Sequence, residues 1–369
     1  MGSPHAGLSQ LRNVGADQKS SAMTTLTSPH DLLAAIPFLI GYHPVNSLVL
    51  VCLKDESVGM AMRVDYPHLD DHPADNLADQ DPSLKTYDAL VYHLVREGAE
   101  GALVVAYVPD SRTDGEEVLG NVATALLRAQ IEVRESLLIC NGRWRSVLCA
   151  DIECCASEGR ALPEISASRI ALEQVAQGRP MPFTDVTGLA DSISSLPLAT
   201  DGQFAANVLR YGVDLESTAL HDLQRDGALC VIDLASRFIA GSIGQDIAAD
   251  QELSARVIGR LSDIQVRDFA LGSHDDATLD IYWAMWRYLL RIAPSGFIAP
   301  VASLLAAVAY ERGEGALAHR CLDRAVEDDP TYSLATLLRR VFSAGWPPES
   351  FAQMRRELHP KVCAAIFDR

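Results

Sequence analysis

The sequence lacks any run of about 18 apolar residues, the length that a membrane-spanning helix needs. Residues 1–22 also lack the apolar stretch of about 7–15 residues that marks a secretory signal peptide. We interpret residues 1–22 as a disordered leader or a cloning remnant, with Met23 as a candidate natural start. The sequence therefore predicts no contact with a membrane.

Positive charge is scarce in this chain. The 31 lysine and arginine residues stand against 49 aspartate and glutamate residues, which gives a formal net charge of -18. Such an excess of negative charge repels the phosphate backbone of nucleic acids and anionic lipid surfaces. No long run of lysine or arginine offsets this repulsion. The composition therefore argues against nucleic acid as a partner.

The common nucleotide-binding and hydrolase motifs are also absent. The chain contains no G-x-G-x-x-G, no G-x-x-x-x-G-K-[ST], no G-x-S-x-G and no H-E-x-x-H. We therefore expect no cofactor. Enzymes without these motifs exist, so catalytic activity stays open, with the balance toward a non-catalytic protein.

The eight cysteines do not resemble a disulfide scaffold, and several lie in apolar runs such as "VLVCL". Buried free thiols behave as small apolar groups, and a reducing cytoplasm is the expected compartment. Cys149, Cys154 and Cys155 lie together in "CADIECCASEGR", which makes them candidate metal ligands. Zinc sites usually combine such thiols with a second pair or with histidines, and this segment has no histidine. A redox thiol pair and simple packing are the alternatives.

Strand and helix patterns alternate over residues 23–165. The apolar runs "NSLVLVCL" and "VGMAMRVDY" predict a hairpin over residues 47–65. Predicted helices at about 84–98 and 116–130 flank the strand "GALVVAYV", and Asn141-Gly142 marks a second hairpin. This alternation predicts an α/β domain with a mixed sheet.

Strand signals almost disappear after residue 167, so an all-α domain is predicted over residues 166–369. Within it, residues 297–358 resemble tetratricopeptide helix pairs, with small residues at the helix crossings and Gly313 at the turn. Two alternatives stay open, a helical hairpin that packs on its own domain and a groove that binds a partner. The candidate partner-binding residues are Tyr310, Arg320, Tyr332 and Trp346.

His43 and Asp65 form the candidate catalytic pair. His43 precedes the first predicted strand, and Asp65 ends the strand that returns beside it. A histidine beside a carboxylate is the basic unit of general-base or metal chemistry. It is also a common hydrogen-bonded arrangement at a turn.

Four segments together resemble a known protein family. They are "SPHDLLAAIPFLIGYHPVNSLVLVCL", "RVDYP", "RWRSVLCADIECCASEG" and "AAVAYERGEGALAHRCLDRAVEDDPTYSLATLL". The chain resembles the family from high-GC Gram-positive bacteria, the actinobacteria, that is described as domain of unknown function 4192. The resemblance implies a cytoplasmic protein with an N-terminal α/β part and a helical C-terminal part. It supplies no catalytic residues.

Two functions are expected from these observations. In the first, the helical part of a cytoplasmic, non-catalytic interaction or regulatory protein binds a protein partner or another copy of the chain. In the second, the protein is an enzyme or binds a small-molecule ligand in a cleft near His43, Asp65 and the loop from Cys149 to Cys155.

Overall fold

A computed structural model describes residues 11–13, 25–54, 57–67, 82–151, 153 and 155–368. The chain divides into two compact units, one ending at Gly188 and the other beginning at Leu189. The boundary expected at residue 165 lies before this division, because helix α4 (Arg169–Ala176) packs against helix α1 (Pro29–Ile40) within the first unit. Apart from residues 11–13, the expected leader lies outside the described residues.

A mixed sheet forms the centre of the first unit and confirms the predicted α/β fold. Its strands are β1 (Leu11–Asn13), β2 (Thr25–Leu26), β3 (Ser47–Lys54), β4 (Ser57–Asp65), β5 (Gly101–Tyr107), β6 (Glu132–Cys140), β7 (Arg143–Ser146) and β8 (Arg160–Ala161). They lie in the order β2-β1-β4-β3-β5-β6-β7-β8. β5 and β6 are parallel, whereas β3 is antiparallel to both β4 and β5.

Both faces of the sheet are covered. On one face, Leu48 and Leu50 of β3 pack in a core with helices α2 (Pro82–Arg96) and α3 (Gly115–Arg128). Val49, which strand alternation directs to the opposite face, is equally buried. On that face, α1 contacts β4, and its His30 ring lies 5.0 Å from the Trp144 ring of β7. A central strand buried on both faces requires the continuous apolar run seen in its sequence.

Glycine and asparagine residues set the connections at the edge where β5 and β6 end. Asn141 and Gly142, between β6 and β7, have φ angles of 50° and 70°, as a tight hairpin turn requires. Gly115 begins α3 directly against the sheet. A Cβ atom there would lie 2.7 Å from side-chain carbons of Leu138 and Val108, so only glycine allows this close approach.

The second unit is helical, which confirms the predicted all-α region. After α5 (Val186–Asp191), which spans the division, the helices are α6 (Gly202–Arg210), α7 (Leu220–Ile239), α8 (Ile247–Arg260), α9 (Ile264–Gly272), α10 (Leu279–Ile292), α11 (Ile298–Glu311), α12 (Gly315–Asp328), α13 (Ser333–Ser343) and α14 (Pro348–Phe367). No strand occurs in the described residues of this unit.

The helices from α11 to α14 are joined by short connections. Gly313, with a φ of 78°, lies between α11 and α12, and Gly345, with a φ of 64°, lies between α13 and α14. Ala306, Ala309 and Ala318 are fully buried where α11 packs along α12. Gly313 therefore lies at the predicted turn, and small residues lie where α11 crosses α12.

A helix that crosses a bilayer needs about 20 predominantly apolar residues. None of the described helices is both long enough and apolar enough to do so.

Candidate functional site

A cavity of about 930 Å³ opens in the first unit where β5 and β6 end. The sheet register explains its position. Ser47, at the start of β3, pairs with Tyr107, at the end of β5, so the segment before β3 meets the segments that follow β5 and β6. Open α/β sheets commonly bind ligands at the carboxyl ends of their parallel strands.

The floor of the cavity is apolar. Leu33 and Pro37 come from α1, and Pro44, Val108 and Ile139 come from the strand ends and adjoining segments. All five residues are buried. Pockets for small organic molecules are typically about 300–1,000 Å³ in volume and lined mainly by apolar groups, so this cavity has the size and the floor of a ligand site.

Three partly buried side chains supply polar groups along the wall, those of His43, Tyr107 and Cys140. Burial lowers the pKa of His43 and raises the pKa of Tyr107. Both residues are therefore uncharged at neutral pH. Asn141 donates a hydrogen bond from Nδ2 to the Cys140 sulfur over 3.2 Å. The wall thus offers neutral hydrogen-bonding groups above an apolar floor.

The segment that contains Met181 and Phe183 is tied to the residues that follow α1. Phe183 donates its backbone N–H to the Gly41 carbonyl over 3.0 Å, and its own carbonyl accepts the His43 N–H over 3.0 Å. Gly41 has a φ of 89° and ends α1 with a hydrogen bond to Pro37. These backbone bonds hold His43 and Met181, both cavity residues, on connected segments.

Asp65 lies near this edge of the sheet but does not line the cavity. It pairs in register with Ser47, and its carboxylate is 2.5 Å from Nη1 of Arg63. Arg63 also donates from Nε to the Ser47 hydroxyl over 3.0 Å. The Asp65 side chain is 85% exposed. The structure therefore places His43 in the cavity and Asp65 in an exposed ion pair with Arg63. The sequence analysis did not predict a role for Arg63.

The predicted cysteine cluster is only partly described. The side chains of Cys149 and Cys155 are half-buried, and Cys154 lies outside the described residues. Neither Cys149 nor Cys155 lines the cavity, whereas Cys140 does. The described residues contain no group of three or more histidine, cysteine, aspartate or glutamate side chains arranged to hold a metal ion. The sequence signal for Cys140 was its position at the end of the run "LLIC".

The four candidate partner-binding residues have different surroundings. Tyr310 stacks on Phe342 with ring centroids 3.8 Å apart, and its hydroxyl donates to the Trp346 carbonyl. Tyr332 is half-buried, 5.9 Å below the guanidinium of Arg267.

Arg320 is the exposed member of the four, and it pairs with Asp323 at 3.0 Å. It lines a second cavity, of about 530 Å³, between α12 and residues 190–195. Tyr310, Tyr332 and the Trp346 carbonyl are therefore used in contacts within the helical unit, and Arg320 alone of the four has an exposed side chain.

The family comparison agrees with the resemblance in the sequence. The model of the family described as domain of unknown function (DUF4192) matches residues 29–349, which cover strands β3 to β8, the cavity and most of the helical unit. No curated protein and no solved structure matches the chain.

Proposed function

The chain belongs to the DUF4192 family, and we propose that its α/β unit binds a small organic molecule in the cavity where β5 and β6 end. One observation carries the proposal. Separate segments of the chain converge on a cavity of about 930 Å³ that has a buried apolar floor and a few neutral polar groups. That combination is typical of small-molecule sites.

Binding, rather than catalysis, is the activity that the geometry favours. His43 is the natural candidate for a base, but the carboxylate predicted beside it is held by Arg63. Tyr107 of the cavity wall cannot serve as a base in its place, because burial raises the pKa of its phenol and keeps it protonated. The site thus supplies shape and hydrogen bonds, and we assign it no chemical step.

The test is ligand-observed NMR with a fragment panel that contains anionic, neutral and cationic molecules. Met181, 43% exposed at the mouth, is changed to tryptophan to narrow the opening. The control is Leu172→Trp, because Leu172 is 68% exposed on α4 of the same unit and does not line the cavity. We expect fragments that bind the wild type and the control but not Met181→Trp. Equal binding to all three proteins, or to none, would overturn the proposal.

A second candidate is self-association through the helical unit. Helix α7 exposes Leu229, Ile232 and Ile239 by 47%, 40% and 59%, and their spacing places them on one helical face. Exposed apolar groups on one face often mark an interface. Sedimentation velocity of the full chain tests this idea. We expect a dimer that the pair of changes Leu229→Glu and Ile232→Glu dissociates, and a wild-type monomer at all concentrations would rule it out.

The cytoplasmic location and the actinobacterial source are also part of the proposal. Free, buried thiols such as Cys52, Cys230 and Cys321 are supporting evidence for a reducing compartment. The source follows from the family resemblance.

A further inference from the structure

We propose that the cavity takes an uncharged or singly cationic molecule with a branched apolar or aromatic body, and that it excludes phosphorylated and other strongly anionic molecules. This inference rests on the proposed binding function and adds the chemical class of the ligand. Three observations carry it: the charges at the cavity, the surroundings of the N-terminus of α3, and the apolar side chains at the mouth.

No lysine or arginine is found among the described residues that line the cavity. Proteins usually bind phosphate and carboxylate groups through arginine, lysine or the backbone N–H groups at a helix N-terminus. The charged residues at this cavity are Asp110 and Glu164, both exposed. Their negative charge attracts a cation toward the mouth and repels an anion.

The helix that follows β5 does not supply an anion site. Helix α3 begins at Gly115, and the preceding residue is Asp114, whose carboxylate lies at its N-terminus. That carboxylate accepts hydrogen bonds from Arg112 Nη2 over 2.6 Å and from the Tyr66 hydroxyl over 3.0 Å. The hydrogen bond from Arg112 lowers the pKa of Asp114, so the group is ionised at neutral pH. An anionic ligand there would have to compete with this carboxylate for Arg112 and for the positive end of the helix.

The polar groups inside the cavity point to the same conclusion. Burial keeps His43 unprotonated and Tyr107 protonated at neutral pH. A neutral imidazole and a phenol can both donate and accept hydrogen bonds, but neither compensates the charge of an anion. Bringing an anion into a site without a positive partner is costly because the anion loses its hydration.

The side chains at the mouth of the cavity are the reason for inferring that the ligand has an apolar body. Val45, Leu162 and Met181 are 61%, 40% and 43% exposed, and all three line the cavity above its buried apolar floor. A ligand that covers them removes this apolar surface from water, at about 25 cal/mol for each Å² buried. A compact, fully polar molecule would leave the three side chains in contact with water.

Two fluorescent probes that share one aromatic skeleton test the class of ligand. N-phenyl-1-naphthylamine is uncharged, and 8-anilinonaphthalene-1-sulfonate carries an additional sulfonate. With the full chain at low salt, we expect the uncharged probe to bind at least about tenfold more tightly, which corresponds to about 1.4 kcal/mol. The Met181→Asp variant should bind the uncharged probe about tenfold more weakly than the wild type does, because a charge replaces an apolar contact.

The control is Leu127→Asp. Leu127 is 76% exposed on α3 and does not line the cavity, so this variant should bind the uncharged probe as the wild type does. Thioflavin T, a monocation, tests the acidic mouth. The double variant Asp110→Asn and Glu164→Gln should have a lower affinity for thioflavin T and an unchanged affinity for the uncharged probe.

The outcomes separate the two proposals. If the sulfonate probe binds as tightly as the uncharged probe and Met181→Asp weakens both, the cavity is a ligand site but the inferred class is wrong. The inferred class is also wrong if the double variant leaves thioflavin T binding unchanged. If no probe binds, or if Met181→Asp changes nothing, the proposed binding function itself fails.

Discussion

Arg355 forms a two-point ion pair with Glu311 in the interior of the helical unit. Its Nε lies 2.7 Å from Glu311 Oε1, its Nη2 lies 3.1 Å from Oε2, and the two side chains are 2% and 5% exposed. Nη1 of Arg355 also donates to the backbone carbonyls of Gly272 and His274. One guanidinium thus connects α14 with α11 and with the end of α9.

Replacing Arg355 should destabilise the helical unit strongly. Arg355→Met leaves the carboxylate of Glu311 buried with one hydrogen-bond donor, and losing one partner of a buried pair costs about 3–5 kcal/mol. Arg356→Met is the matched control, because Arg356 is 45% exposed and its partner Asp276 is 77% exposed. A surface pair contributes about 0–1 kcal/mol. Urea unfolding of the full chain measures both changes. If both variants lost the same free energy of unfolding, the buried pair would contribute no more than the exposed pair, which contradicts the prediction.

Acidification should destabilise the unit through His274. Burial lowers the pKa of His274 below its ordinary value of 6.5, although the hydrogen bond to Glu311 acts in the opposite direction. The folded state therefore keeps the neutral imidazole, whose Nε2 lies 3.0 Å from Glu311 Oε2. The unfolded chain takes up the proton first, so stability is complete above a pH of about 6.5 and falls as the pH decreases toward the lowered pKa.

The His274→Gln variant tests this pH dependence, since glutamine keeps a donor for Glu311 and does not titrate. Its unfolding free energy should fall less than that of the wild type between about pH 7.5 and pH 5.5. The pKa of Glu311 is lowered as well, because the hydrogen bonds from His274 and Arg355 outweigh the effect of burial. Its contribution to stability is lost only in more acidic solution. Parallel wild-type and variant curves over this range would refute the prediction.

Adding a methyl group at Gly115 should disturb the contact between α3 and the sheet. A Cβ atom would lie 2.7 Å from Leu138 and Val108 side-chain carbons, and overpacking of this kind costs about 1–3 kcal/mol. Gly120→Ala on the same helix is the control, because no atom lies within 4 Å of its added Cβ. That control should be stabilised by about 0.5–1 kcal/mol. Thermal unfolding compares the two, and a stabilised Gly115→Ala would show that the close contact is absent.

Binding of a cationic probe should weaken in acid. Burial lowers the pKa of His43, so its imidazole is neutral at neutral pH and gains a positive charge only below its ordinary value of 6.5. Burial keeps Tyr107 protonated, and among the described residues Cys140, Asp110 and Glu164 are the other side chains at the cavity that can carry a charge. Thioflavin T affinity should decrease as His43 takes up a proton, and His43→Gln should lessen that decrease. An unchanged pH profile in His43→Gln would show that His43 does not face the ligand.

Local sequence patterns predicted much of the fold for identifiable reasons. The apolar run in "NSLVLVCL" suits a strand that is buried on both faces, which is where β3 lies. Asn141-Gly142 adopts the left-handed backbone of a tight hairpin, and Gly313 does so between α11 and α12. Each of these signals acts within a few residues, so it is readable without knowledge of distant contacts.

The ligand site was less predictable because its parts are far apart in the chain. His43 was identified from its place before a strand, but the apolar floor includes Leu33 of α1 and Ile139 of β6. Strand register alone predicts Asp65 near His43, whereas in the structure Arg63, two residues earlier, binds its carboxylate. Side chains at alternate positions of a strand point to the same face, and that spacing could have revealed the pair.

The amino-acid sequence alone determined the alternation of strands and helices in the first part, the helical second part and the turns at glycine, because propensity, apolar periodicity and backbone freedom are local properties. Tertiary structure decided which side chains became partners. Arg355 and Glu311 are separated by 44 positions, and His43 and Met181 by far more, yet each pair lies at one place in the fold. The spacing of nearby residues does not predict contacts between such distant positions, because those contacts depend on how separate helices and strands pack.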